Sequence, residues 1–236
     1  HSGAAGTSNA TYKIGGRCCG PSFNAADYKN QNEEYDGSSW SNSTDMQRAA
    51  IQYRGVGNQN SIIAFGSIRY APNASAQRYT EGWDGSSWSI CNDMVQSGGW
   101  LGGFGTTGAA VAGGGYKSPY ACSEEWDGTS WATSNAINNA RYMLSGGGTQ
   151  NAGIVFGGHN SSNNALCTEC YDGSTWSNAT SLNDKRCASA NAGTAIASLL
   201  AIGSDCSGTR ACTEEWTEGV SNTMLVKQVT GSAHSY

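Results

Sequence analysis

Proline is almost missing from this chain, at 3 of 236 residues. Together with the lack of any Gly-X-Y period, that excludes a collagen-like helix. Charged residues make up only 13%, about half the usual share. Basic residues are outnumbered, 13 Lys and Arg against 18 Asp and Glu, for a net charge of −5. Nucleic-acid binders normally show the opposite balance, so no nucleic-acid partner is expected. No apolar run approaches the roughly 20 residues of a membrane helix, so no membrane insertion is expected. No 11-residue stretch carries helical periodicity. Methionine and phenylalanine are scarce at 4 each, whereas Trp reaches 8, Tyr 11 and Gly 33. A chain so aromatic and so weakly charged is not disordered. What remains is a Gly-rich β protein of one or two domains.

Nine cysteines are many for a reduced compartment and point to an oxidising, extracellular setting. An odd number leaves at least one thiol unpaired or paired between chains. Cys206 and Cys212 flank one loop and form a candidate local bridge; the remaining connectivity is open. Cys167-x-x-Cys170 has no second CxxC, so no metal site is expected. The chain starts at His1 with no charged-then-apolar leader. The expectation is a processed chain, a fragment, or a protein released by lysis, as a virus component is.

An internal repeat organises everything else. Glu34-Tyr35-Asp36-Gly37-Ser38-Ser39-Trp40 returns as Gly82-Trp83-Asp84-Gly85-Ser86-Ser87-Trp88. It returns again as Glu125-Trp126-Asp127-Gly128-Thr129-Ser130-Trp131 and as Cys170-Tyr171-Asp172-Gly173-Ser174-Thr175-Trp176, with a degraded copy around Trp216. The first aromatic recurs at spacings of 48, 43, 45 and 45, so five units of about 47 residues fill the chain. The units run approximately 1–46, 47–94, 95–137, 138–182 and 183–230, which reads as a single domain. Each has a short apolar run closed by Gly, such as Ile154-Val155-Phe156-Gly157-Gly158. An apolar residue follows the second Trp by six positions at Met46, Met94, Ile137 and Leu182. Short strands separated by turn signals mean an all-β fold. If Asp-Gly is a two-residue hairpin turn, Tyr35 faces Ser38 and lies diagonal to Trp40. Tyr35, Trp40, Trp83, Trp88, Trp126, Trp131, Tyr171, Trp176 and Trp216 then form aromatic plates, expected to stack on the centre of the next unit.

The order of apolar run, Gly-Gly, Tyr-Asp, Trp and a later Arg resembles the kelch repeat of β-propellers. Its carriers are Gly157-Gly158, Tyr171-Asp172, Trp176 and Arg186, with Arg141 and Arg48 in matching territory. The wording Ala140-Arg141-Tyr142, Gly147-Gly148-Thr149-Gln150 and Phe156-Gly157-Gly158 is similar to kelch-like repeats of bacteriophage structural proteins. The turn between Tyr and Trp is shorter than in ordinary kelch repeats. Unit 5 departs at Thr217, and unit 3 has no Arg near 97. The resemblance implies a five-bladed kelch-like β-propeller with four antiparallel strands per blade. It also implies a virion-surface or extracellular location, as capsid decoration or a tail-associated adhesin. Partners would be other virion proteins or host-surface glycans, with homo-oligomerisation open. A secreted carbohydrate-binding lectin is the alternative reading.

Catalysis is not expected, and neither is a cofactor. The copper chemistry of one kelch-type oxidase needs clustered His and Tyr, and the histidines here are His1, His159 and His234. Sialidase repeats place Gly two residues after Asp, whereas here it follows directly. Carboxylates recur at Glu33, Glu34, Glu124, Glu125, Glu214 and Glu215, and such recurrence speaks for a role in the repeat. Binding residues are expected where the repeat breaks symmetry, on loops held by a rigid scaffold. The distance from Gly to first aromatic is 20, 17, 13, 14 and 13 residues along the five units. The enlarged loops of units 1 and 2 carry Arg17, Tyr28 and Lys29, then Arg69, Tyr70 and Arg78, and the shorter loop of unit 3 carries Tyr116 and Lys117. Tyrosine beside a cation suits an anionic glycan or a protein partner.

Overall fold

The computed structural model describes residues 3–17, 28–69, 75–116, 121–160, 166–195, 197–201, 213–218 and 224–229. All regular structure among them is strand. Blade 1 is a meander of β1 (Gly3–Thr7), β2 (Ala10–Ile14), β5 (Asn32–Tyr35) and β6 (Trp40–Ser43). Its longer loop carries a two-stranded ribbon, β3 (Gly16–Arg17) with β4 (Tyr28–Lys29). Blade 2 repeats the plan with β7 (Arg54–Asn58), β8 (Ser61–Phe65), β11 (Thr80–Trp83) and β12 (Trp88–Ile90). A second ribbon joins β9 (Ile68–Arg69) to β10 (Ser75–Ala76). Blade 3 holds β13 (Gly102–Thr106), β14 (Ala109–Gly113), β15 (Ser123–Trp126) and β16 (Trp131–Ser134). Blade 4 holds β17 (Ser145–Thr149), β18 (Ala152–Phe156), β19 (Thr168–Tyr171) and β20 (Trp176–Ala179). A further four-stranded sheet follows as β21 (Ala190–Gly193), β22 (Ala197–Ala201), β23 (Thr213–Glu218) and β24 (Met224–Val229). Most of its side chains lie outside the description.

The chain forms two compact units. One holds residues 1–100, 105–111 and 124–133, the other 101–104, 112–123 and 134–236. In the first, the core joins Tyr12 and Ile14 of β2 with Met46, Tyr53, Ile62, Trp83 and Trp88. In the second, Ile154, Phe156 and Leu182 cluster, with Leu166 and Cys170 against them. The first strands of blades 1 and 4 are built from small residues, and neighbouring backbone comes very close to the first. At Gly3 of β1, an added Cβ would stand 2.6 Å from the Tyr53 carbonyl.

The hairpin register differs from the two-residue turn expected at Asp-Gly. Tyr35 pairs directly with Trp40, Trp83 with Trp88 and Tyr171 with Trp176, across four-residue loops. A two-residue turn of that type needs positive φ at both residues. Here Gly85 has it, at 94°, and Asp84 does not. The Asp carboxylate stabilises the longer loop instead. Asp84 Oδ1 accepts from the Ser86 and Ser87 amides at 2.8 Å each, and the Ser86 hydroxyl adds a third bond. Asp36, Asp127 and Asp172 repeat the pattern. Directly opposed rings then pack closely, with centroids 5.6 Å apart for Trp83 and Trp88.

The plates also stack in the other direction from that expected, on the preceding blade. Trp88 donates from Nε1 to the Tyr12 hydroxyl at 3.1 Å, and Trp131 to Thr80 Oγ1 at 3.0 Å. Phe65 meets Trp131 edge-on at 4.8 Å. In the second unit Phe104 meets Trp176 at 6.0 Å and covers the bare face of Gly153, where a Cβ would fall 2.0 Å from its ring. The reason is the order of strands: the second Trp opens the outer strand and reaches the middle strands of the blade before it.

The turns tie stability to acid. Amide donation from the fourth residue of each loop, aided by the third residue and the hydroxyls, pushes Asp36, Asp84 and Asp127 down to about 2. Asp172 is lowered further, by the Thr175 amide first. A lowered folded value gives stability that is complete above the ordinary carboxylate range, roughly pH 4. That stability is lost as pH falls through about 2. Thermal melts should therefore fall steadily below roughly pH 4. An Asp84→Asn, Asp127→Asn variant should show a flatter fall, because its amide side chains do not titrate.

Candidate functional site

Four glutamates are buried at one position of the repeat, two residues before the first aromatic. Glu81, Glu124, Glu169 and Glu214 are 0–2% exposed. Each accepts hydrogen bonds from two successive amides of the segment that follows the preceding blade. Glu81 takes them from Gln47 and Arg48 at 2.8 and 3.0 Å, and Glu124 from Val95 and Gln96 at 2.8 and 2.7 Å. Glu169 takes them from Asn138 and Asn139 at 2.6 and 3.2 Å, and Glu214 from Asn183 and Asp184 at 2.8 and 3.2 Å. The donor pairs come immediately after Met46, Met94, Ile137 and Leu182, all buried. Those apolar residues anchor the donor segment, and the carboxylate caps it.

Two of these carboxylates also hold a buried arginine. Arg141 Nη1 donates to Glu169, and its Nε to the Gly157 carbonyl at 2.8 Å. Arg186 Nη2 donates to Glu214 at 2.6 Å. Glu81 and Glu124 have no such arginine touching them, and burial raises both despite the amide bonds. Arg48 instead pairs with Asp93 at 2.6 Å and lies over Tyr79 at 4.5 Å. Of these glutamates, Glu124 and Glu214 are marked in the sequence by Glu-Glu doublets, whereas Glu81 and Glu169 stand in none. The signal that finds all of them is distance from the aromatic.

The loop residues divide by unit. In the first, β3 and β4 pair Arg17 with Tyr28 and Gly16 with Lys29; these side chains are outside the description. Arg69 is exposed on β9, and Arg78 is exposed with Nη1 3.5 Å from the Val95 carbonyl. Tyr70 lies outside the described residues, as do Lys117, Cys206 and Cys212. Cys91 and Cys167 carry free thiols. The Trp216 side chain is also outside the description.

In the second unit, the structure assembles a group that composition did not reveal. Tyr116 meets Tyr142 edge-on at 5.6 Å, and Tyr142 lies 5.2 Å from the His159 ring. Tyr142 and His159 form an antiparallel bridge, with amide-to-carbonyl distances of 2.9 and 2.7 Å. The matching bridge of blade 2 joins two apolar residues, Ile51 and Ile68. His159 Nδ1 is buried and has no hydrogen-bond partner. Two partly exposed phenol rings beside an imidazole can stack a ring or a sugar face and bond its hydroxyls. Among the described residues, no three His, Cys, Asp or Glu side chains gather in metal-binding fashion. No helix among them is long and apolar enough to cross a membrane.

Four-stranded antiparallel blades of this design define an all-β propeller. The chain is similar to a solved structure described as "Structure of YjhT", with a TM-score of 0.76 and 12% identity, covering 96% of this chain and 83% of that one. At that identity the likeness is one of fold. No protein-family model matches the chain, and no curated protein matches it.

The buried pairs give a direct test. Replacing Arg141 by Met leaves the Glu169 charge buried without its cation, which should cost about 3–5 kcal/mol. Urea unfolding should show this as a lowered midpoint. Arg48→Met, at a partly exposed pair, should cost less than about 1 kcal/mol.

Proposed function

We propose that this chain is a non-enzymatic, five-bladed kelch-like propeller displayed on a virus particle. There it serves as capsid decoration or a tail-associated adhesin contacting the host surface or neighbouring virion proteins. The observation that carries the reading is the use made of the buried carboxylates. The groups best placed for acid or base chemistry by burial spend their oxygens on backbone amides at a recurrent structural position. A carboxylate saturated in this way is a structural clamp, and catalysis would need one held free near a substrate. The β21–β24 sheet supports a count of five blades. The repeat wording, with its later Arg141 and Arg186, supports the kelch and virion reading.

The test is location. Mass spectrometry of purified particles should find the protein in stoichiometric amount, and image reconstruction should place a propeller-sized density at the surface. Its absence from purified particles would contradict the reading.

A secreted lectin is the second reading, and the Tyr116, Tyr142 and His159 group is the observation that favours it. Binding on a broad glycan array, weakened by Tyr142→Ala or Arg69→Ala, would support it over the first.

A further inference from the structure

Two polar side chains of blade 2 stand opposite each other without hydrogen-bond partners. Ile51 and Ile68 form an antiparallel bridge, exchanging backbone bonds of 3.2 and 2.8 Å. One step on, the same register sets Gln52 opposite Ser67. Ser67 is fully buried, and neither its Oγ nor the buried Gln52 Nε2 has a hydrogen-bond partner. The Tyr53 hydroxyl near Ser67 donates instead to the Arg48 carbonyl at 3.1 Å. Unpaired buried donors are costly, and the repeat does not demand them here. The matching step of blade 4 holds Met143 and Gly158, which carry no such groups. A native polar pair left in this state points to an occupant that completes it.

The next segment brings a ring to the same place. The Gly98 carbonyl accepts from the Ser67 amide at 2.8 Å, and a Cβ added to Gly99 would fall 2.2 Å from Ile68 Cγ1. Trp100 follows directly, half-buried, and is the one Trp outside the aromatic positions of the repeat. Its φ is 54° and that of Gln52 is 65°. Glycine adopts such a conformation freely, whereas a side chain there is strained. Arg69 is exposed beside Ile68 on β9. All these residues belong to the first compact unit. We propose that Gln52, Ser67 and Trp100 form a binding site for a neutral pyranose sugar. One sugar hydroxyl enters between Gln52 and Ser67, accepting from Nε2 and donating to Oγ. The apolar face of the ring lies on the Trp100 indole, and Arg69 donates to an outer hydroxyl. This inference rests on the carbohydrate-binding reading and locates a sugar on residues other than Tyr116, Tyr142 and His159.

Calorimetric titration of the full chain with methyl α-mannoside, methyl β-galactoside and N-acetylglucosamine tests it. At least one of these sugars should bind. Gln52→Gly and Trp100→Gly should each weaken that binding about 10-fold, the loss of a stacked ring or of one or two hydrogen bonds. Gln52→Gly also relieves the strained φ and removes the unpaired amide, so it should melt no lower than wild type. Its lost binding then reports the site and not unfolding. Tyr142→Ala should leave this binding intact. Binding that Tyr142→Ala abolishes, and that Gln52→Gly and Trp100→Gly leave unchanged, overturns the proposal while keeping the lectin reading. A protein that binds none of the three sugars overturns the proposal too, and a blank glycan array beside that result would sink the lectin reading with it.

Discussion

A carboxylate that accepts two successive backbone amides from the previous repeat is the contact on which the rest of this fold depends. Strands within a blade satisfy one another, but the segment leaving each blade has amides with no ladder to join. Burying them unpaired would cost about 1–3 kcal/mol per group. Glu81, Glu124, Glu169 and Glu214 meet that need from the next blade. Charge-assisted bonds are about twice as strong as neutral ones, and both oxygens are used, so the carboxylate tolerates its own burial. The same contact fixes where the next blade sits, because the donors follow a buried anchor such as Met94 or Ile137. The aromatic plate further along the same hairpin then lands on the preceding blade.

The clamp is not uniform, and its variation follows the arginines. Glu169 and Glu214 are neutralised by Arg141 and Arg186, each fully buried. Glu81 and Glu124 rely on amides, with Arg48 and Arg78 acting across a distance, and burial raises them. Arginine costs desolvation of a second ion, and the blades that carry it gain extra hydrogen bonds, as from Arg141 Nε to Gly157. The result is one docking geometry reached by two electrostatic routes. The clamp makes no use of the ribbons of blades 1 and 2 or of the Tyr142 and His159 bridge.

Much of the fold is legible in the sequence because the repeat is strict. Strand content and the aromatic pairs follow from periodicity and from the Asp-Gly step. The register was not legible, because Asp-Gly alone does not say whether the Asp side chain closes a longer loop. Asp84 does so by capturing the Ser86 and Ser87 amides, which puts Trp83 directly opposite Trp88. The stacking direction was hidden for a similar reason, since a repeat looks the same read toward either neighbour. Gln52, Trp100, Met143 and Ala188 all have positive φ at one repeat position, and no glycine marks it. Of the candidate site, loop enlargement points to Arg69, whereas Tyr116 stands in a loop of ordinary length and is marked by the lysine beside it. The Tyr142 and His159 bridge depends on pairing between residues 17 apart in sequence, which composition does not display.

Hydrogen exchange of individual amides tests the central claim most directly. The donors at Gln47, Arg48, Val95, Gln96, Asn138, Asn139, Asn183 and Asp184 lie outside the strands, so ordinary loops would exchange them quickly. If the carboxylate clamp holds the blades together, these amides exchange as slowly as those of the middle strands. Glu124→Ala would then release the Val95 and Gln96 pair selectively. Exchange at the rate of open loops in the wild-type protein would contradict the account.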